Sequence, residues 1–209
     1  MGLISERFVM LLDAQDSQLV LVDYQQRLMP AMDDAPTVLA NARRLAQAAH
    51  ALDVPVWGTE QNTDKLGPND EALRTLCRQT LSKMHFSACA DGLIQLLRPP
   101  VRPTGGNARS LPKHLQKPQA PSPERPSIVI AGCEAHVCLL QTALELLDEE
   151  LEVWVVTDAC TSRSVRNRDA AYDRLASAGA ELVTTEMVLF EWLRTCESPA
   201  FKTIQSLIK

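Results

Sequence analysis

Ile128-Val129-Ile130-Ala131, an unbroken apolar run stopped by Gly132, limits what this chain can fold into more than any other stretch. A run so short and so uniformly apolar suits a strand buried on both faces of a parallel sheet, where no solvent face imposes alternation. From His136 onward Leu139, Leu140, Ala143, Leu144 and Leu147 return at three- and four-residue spacing. A helix is therefore expected within a few residues of the strand's end, with Cys138 in its first turn.

The same alternation recurs along the chain. Leu19–Val22 reads as a buried strand that delivers Asp23 at its end. Val38 to Leu52 has the 3.6-residue period of a helix, and Val54–Thr59 follows as a strand whose early Pro55 is tolerated there. After a polar loop containing Gly67-Pro68, Asp70 is placed to cap a short helix over Glu71 to Cys77. Thr80–Phe86 reads as an extended edge bearing Lys83, and Ala88 to Leu97 as a modest helix. Leu151–Thr157 is a strand ending at Asp158, Arg168–Ala178 a helix closed by Gly179, and Ala180–Thr184 a last strand. Glu186–Leu193 and Phe201–Ile208 read as terminal helices. Strand and helix alternate throughout, which predicts an α/β fold: a three-layer α/β/α sandwich around a mainly parallel, Rossmann-like sheet.

Residues 1–209 fit one domain, since no boundary between two cores is visible. Pro99 to Pro126 differs in kind, with eight prolines, Gly105-Gly106, five basic residues from Arg102 to Arg125 and no periodicity. It reads as a long loop inserted in that domain, either a solvated insertion or a lid or binding arm. No run approaches the ~18 apolar residues of a membrane span, and the first residues lack a basic start and a cleavage site, so a cytoplasmic protein is expected. Six cysteines at no metal-type spacing are expected to be thiols. A net charge of −5 argues against nucleic acid as the main partner.

Three residues stand where chemistry is expected, near the carboxyl ends of different predicted strands. Cys138 at a helix start is the best nucleophile candidate, because a thiol reacts as thiolate and the free N–H groups of a first turn favour the anion. It also fits a small buried apolar side chain. Asp23 suits a base or merely a turn, and Lys83 a buried charge or an exposed edge lysine.

The motifs Val-Asp23-Tyr-Gln, Ser-Lys83-x-x-Phe-Ser and Gly132-Cys-Glu-Ala-His-Val-Cys138, in this order, resemble those of the isochorismatase and nicotinamidase superfamily of cysteine hydrolases. Thr59-Glu-Gln and Leu66-Gly-Pro look most like its isochorismatase domain-containing members. The resemblance implies a triad in which Asp23 takes the thiol proton of Cys138 and Lys83 holds a positive charge beside both. It further implies a cis Cys133–Glu134 peptide and an oxyanion hole from the N–H groups of Glu134 and Cys138. Gln25, Gln61 and Phe86 would contact the substrate. Nicotinamidases carry an Asp-x-His metal motif after the second strand, whereas Thr59 to Gly67 has no histidine here, so no metal and no cofactor are implied. Some isochorismatases lack the cysteine, and its presence favours acyl chemistry. The expected function is thus metal-independent cysteine hydrolysis of a small amide or related acyl compound through a thioester, in a homo-oligomer, with a small molecule as partner. A silent scaffold that keeps the fold, or a redox sensor using Cys133 and Cys138, are the alternatives.

Overall fold

The computed structural model describes residues 11–98 and 125–209. Most of the Pro-rich insertion, and the first ten residues, lie outside that range. The described strands are β1 (Ser17–Val22), β2 (Val56–Gln61), β3 (Gln79–Lys83), β4 (Ser127–Gly132), β5 (Glu152–Val156) and β6 (Glu181–Val183). They form one sheet in the order β3-β2-β1-β4-β5-β6, and every neighbouring pair is parallel. Every residue of β1 and β4 is buried, as their unbroken apolar runs require.

The helices are α1 (Ala35–Ala51), α2 (Thr63–Leu66), α3 (Glu71–Arg74), α4 (Leu93–Leu97), α5 (Leu140–Asp148), α6 (Val165–Ala178), α7 (Thr185–Leu193) and α8 (Phe201–Leu207). One group gathers around α1, which packs on α3, α7 and α8, while α5 packs on α6. In α1 the residues Ala42, Leu45, Ala46 and Ala49 turn inward, the stripe that the 3.6-residue period predicts. This is the expected α/β architecture.

Local boundaries moved for identifiable reasons. The α1 helix starts at Ala35 because Pro36 fits its first turn, and α6 starts at Val165 because the Ser164 side chain accepts from the Asn167 N–H. Instead of one helix over Ala88–Leu97 there is a 3₁₀ turn, Cys89–Asp91, and then α4, broken at Gly92 with φ 108°. The strand β3 stops at Lys83 because the N–H groups of Met84 and His85 both donate to Asp91 Oδ2 at 3.0 Å, which draws them off the ladder.

Strand order decides where a ligand can sit. The chain winds from β1 through β2 to β3 on one side, then returns to β4 next to β1 and winds the other way. The crevice between the carboxyl ends of β1 and β4 is therefore the switch point at which open parallel sheets bind ligands. Asp23 follows β1 directly, and the segment leading to Cys138 follows β4.

Candidate active site

Asp23 leaves β1 with φ 52°, in the left-handed region that aspartate tolerates better than most residues. Its N–H donates to the Thr59 carbonyl at 3.2 Å, and its Oδ1 accepts from the Thr59 hydroxyl at 2.7 Å. Lys83 arrives from β3, two strands away across β2. That is about 10 Å, a gap that a lysine and an aspartate side chain can close together. Lys83 Nζ lies 2.8 Å from Asp23 Oδ2, and neither side chain has any solvent exposure. It also donates to Gln61 Oε1 at 2.7 Å, to the Phe86 carbonyl at 3.1 Å and more weakly to the His85 carbonyl at 3.4 Å.

Cys138 reaches the same place from the other side of β1. It lies in a π-turn, Ala135–Leu139, that precedes α5. The Glu134 carbonyl accepts from the N–H groups of Val137 and Leu139 and is not used by that of Cys138. The Cys138 thiol lies near enough to Asp23 and Lys83 for both charges to act on it. Burial, reinforced by the neighbouring Asp23 charge, pushes it up to about 12, while Lys83 pulls the other way. The lowered thiol expected for a helix start is thus overridden, because desolvation in a nearly closed site outweighs the end of a helix. At neutral pH the thiol needs a base.

The segment from Gly132 to Cys138 is held by its neighbours. The Cys133–Glu134 peptide is cis. Ala135 N–H donates to the Thr161 carbonyl at 2.8 Å, and Thr161 N–H to the Gly132 carbonyl at 3.3 Å. Arg163 binds Glu134 Oε2 through Nε at 2.9 Å. Cys133 is fully buried and its thiol meets Met29 Sδ at 3.5 Å.

The remaining sequence candidates divide. Phe86 is 55% exposed on the loop after β3 and offers its carbonyl to Lys83. Gln61 holds Lys83 with its oxygen and the Met84 carbonyl with its nitrogen. Gln25 is fully buried and spends its amide on Gln61 and the Gly67 carbonyl, bracing the loop after β2. Thr59 and Arg163 join the site only through the fold, since nothing in one sequence shows that β2 ends between Asp23 and Lys83. A separate cavity of about 490 Å³ beside Tyr24, Met29 and Leu39 includes none of the three central residues in its walls, so chemistry rather than volume marks this site. Among the described residues no group of three or more His, Cys, Asp or Glu is placed to hold a metal ion.

Burial of the thiols has a consequence for stability. Cys77 is pushed up to about 11, and Cys89, Cys138 and Cys160 to about 12, each chiefly by desolvation. An unfolded thiol titrates near 8.5, so the folded chain holds these protons more tightly, and stability present below about pH 8.5 drains away as pH rises toward the folded values. Urea midpoints are expected to fall steadily above pH 9, the unfolding free energy dropping by about 1.4 kcal/mol per thiol per pH unit at most. A midpoint unchanged between pH 8 and pH 10.5 would contradict it.

Comparison with known proteins gives this geometry a lineage. The family model described as the isochorismatase domain matches residues 17–103 and 108–187. Isochorismatase domain-containing protein 2A of Mus musculus is 33% identical over 195 residues, covering 93% of this chain and 84% of that protein. A structure described as the MAR1 ribonuclease from Caenorhabditis elegans superposes with a TM-score of 0.80 at 28% identity, covering 95% of this chain and 92% of that one. The YcaC gene product from Escherichia coli, described as an octameric hydrolase of unknown specificity, shares the fold with a TM-score of 0.78 at 23% identity, over 97% of this chain and 92% of that one. With its motifs and most of its length matched, this chain belongs to the isochorismatase family.

Proposed function

We propose that this chain is a cysteine hydrolase that attacks the carbonyl carbon of a small amide or related acyl compound, with Cys138 as nucleophile, Asp23 as general base and acid, and Lys83 as the fixed positive charge. One observation carries the reading: a fully buried Asp23–Lys83 pair at 2.8 Å, whose two charges both act on the Cys138 thiol. Burying two charges is costly and a well-packed apolar pair is often as stable, so such a pair beside a nucleophile in a switch-point crevice points to chemistry.

The steps follow from the groups present. Asp23 takes the thiol proton as sulfur bonds to the carbonyl carbon, since a thiol raised to about 12 is otherwise protonated at neutral pH. The carbonyl π pair moves to oxygen, and the N–H groups of Glu134 and Cys138 receive that oxyanion; losing one such donor typically costs about 2.7–4 kcal/mol of barrier. As the oxyanion collapses, the C–N bond breaks and Asp23 returns its proton to the departing nitrogen. Water then gives a proton to Asp23 as its oxygen bonds to the thioester carbon; the C–S bond breaks, the acid leaves, and Asp23 returns that proton to the Cys138 sulfur. Protein groups carry every step.

A panel of small amides and esters assayed with the wild-type chain and Cys138→Ala tests this. At least one amide is expected to be turned over by wild type and not by the variant, with an acyl adduct on Cys138 seen by mass spectrometry. An RNA oligonucleotide is expected to stay intact, in keeping with the acidic chain. Turnover that survives in Cys138→Ala would overturn the assignment. The homo-oligomer implied by the family is checked by light scattering, where a monomer would remove that expectation.

A further inference from the structure

The tripeptide Thr59-Glu60-Gln61 ends β2, the strand that separates Asp23 on β1 from Lys83 on β3. Thr59 stands beside Val22, the residue before Asp23, and Gln61 stands beside Lys83 itself. Residues two apart on a strand share a face, so Thr59 and Gln61 look into the crevice and Glu60 looks away. Their contacts follow that division. The Thr59 hydroxyl donates to Asp23 Oδ1 at 2.7 Å, and Gln61 Oε1 accepts from Lys83 Nζ at 2.7 Å. Glu60 instead accepts from the Asn69 N–H at 2.9 Å, and the Asn69 side chain donates to the Thr59 carbonyl at 2.9 Å, bracing the strand end from behind.

From this we infer that Thr59 and Gln61 are positioning residues, which fix the protonation geometry of the buried pair and thereby decide which atom takes the proton of Cys138. The inference rests on the reading of Asp23, Lys83 and Cys138 as a catalytic triad. A hydroxyl that donates to Oδ1 commits that oxygen as an acceptor. Oδ2 faces Lys83 as an ion pair at 2.8 Å and has no other partner among the described residues, which leaves it a lone pair for a proton. On the other side, Gln61 and the carbonyls of Phe86 and His85 occupy the hydrogens of Lys83. The ammonium is thereby anchored as a charge, and it cannot serve the thiol as a proton donor without breaking a bond. Thr59 also explains how a carboxylate with no solvent contact keeps its second oxygen satisfied.

Alkylation of Cys138 by iodoacetamide near neutral pH, followed by mass spectrometry, reads the base without a known substrate. Thr59→Val, of nearly the same shape, is expected to slow alkylation about tenfold, the size expected when a hydrogen bond to a charged group is lost, and Thr59→Ser to restore most of it. Gln61→Met is expected to slow it by about the same factor for the same reason. The coupling separates positioning from packing: Thr59→Val should add nothing once Asp23 is Asn, and Gln61→Met nothing once Lys83 is Met. Additive losses, or a Thr59→Ser rate as low as that of Thr59→Val, would overturn the inference. Should Thr59→Val fail to fold, the partly exposed Gln61 position decides alone, by the same cycle. If Asp23→Asn itself leaves alkylation unchanged, the triad reading fails; if it slows alkylation while Thr59→Val and Gln61→Met do not, only the positioning role fails.

Discussion

Lys83→Met is expected to lower stability by about 3–5 kcal/mol, because it leaves the Asp23 carboxylate fully buried opposite no charge. The same substitution removes a charge that holds the Cys138 thiol down, so the thiol should rise further and its alkylation profile should move to higher pH. Hydrolysis at neutral pH should fall with it. Lys83→Arg is not expected to rescue, since a planar fork does not fill the place of a compact ammonium surrounded by Asp23, Gln61 and two carbonyls. The double variant Asp23→Asn, Lys83→Met discriminates stability from chemistry. It should recover much of the lost stability, as neutral replacements of buried pairs often do, and none of the activity. Urea unfolding together with the pH profile of iodoacetamide modification decides the matter. Profiles that superimpose for wild type and Lys83→Met would withdraw Lys83 from the triad.

Gly132→Ala is expected to be the most damaging glycine-to-alanine change among the described residues. Gly132 pairs with Val22 across β1 and β4 and has φ 149°, a conformation that side chains rarely adopt. A Cβ there would collide with the Val22 carbonyl oxygen and lie 2.6 Å from Val22 Cβ. Neither can yield without moving the backbone that carries Asp23. Overpacking of this kind costs about 3 kcal/mol or more, and whatever fold remains should have the two motif-bearing strand ends pushed apart. Gly58 on β2 is the control. Its added Cβ would meet the side chains of Cys77 and Thr80 at 3.1 Å, which can shift, so Gly58→Ala should cost far less. Equal unfolding midpoints for Gly132→Ala and wild type would show that β1 and β4 are not held this closely.

The alternation of apolar runs with helical periods was enough to read the α/β class, because strand burial on two faces and helix burial on one leave different marks on residue order. It also placed Asp23, Lys83 and Cys138 near the carboxyl ends of different strands, since each follows or lies within a run that reads as a strand or an extended edge. Boundaries were less legible. The stop of β3 at Lys83 depends on Asp91, which captures two N–H groups from seven and six residues away. Local propensity carries no trace of such a partner.

The sequence by itself therefore determined which residue types stand at the ends of which strands, and that Gly132 interrupts one of them. Only the tertiary structure decided that β2 lies between Asp23 and Lys83, that Thr59 and Gln61 face the pair, and that Gln25 turns inward to brace a loop. It also decided the state of the nucleophile. A sequence shows a cysteine at a helix start, which favours the thiolate, but desolvation is a property of everything packed around the sulfur, and burial beside Asp23 pushes the thiol up instead. Strand order and burial arise from contacts between residues far apart in the chain, which short-range patterns do not encode.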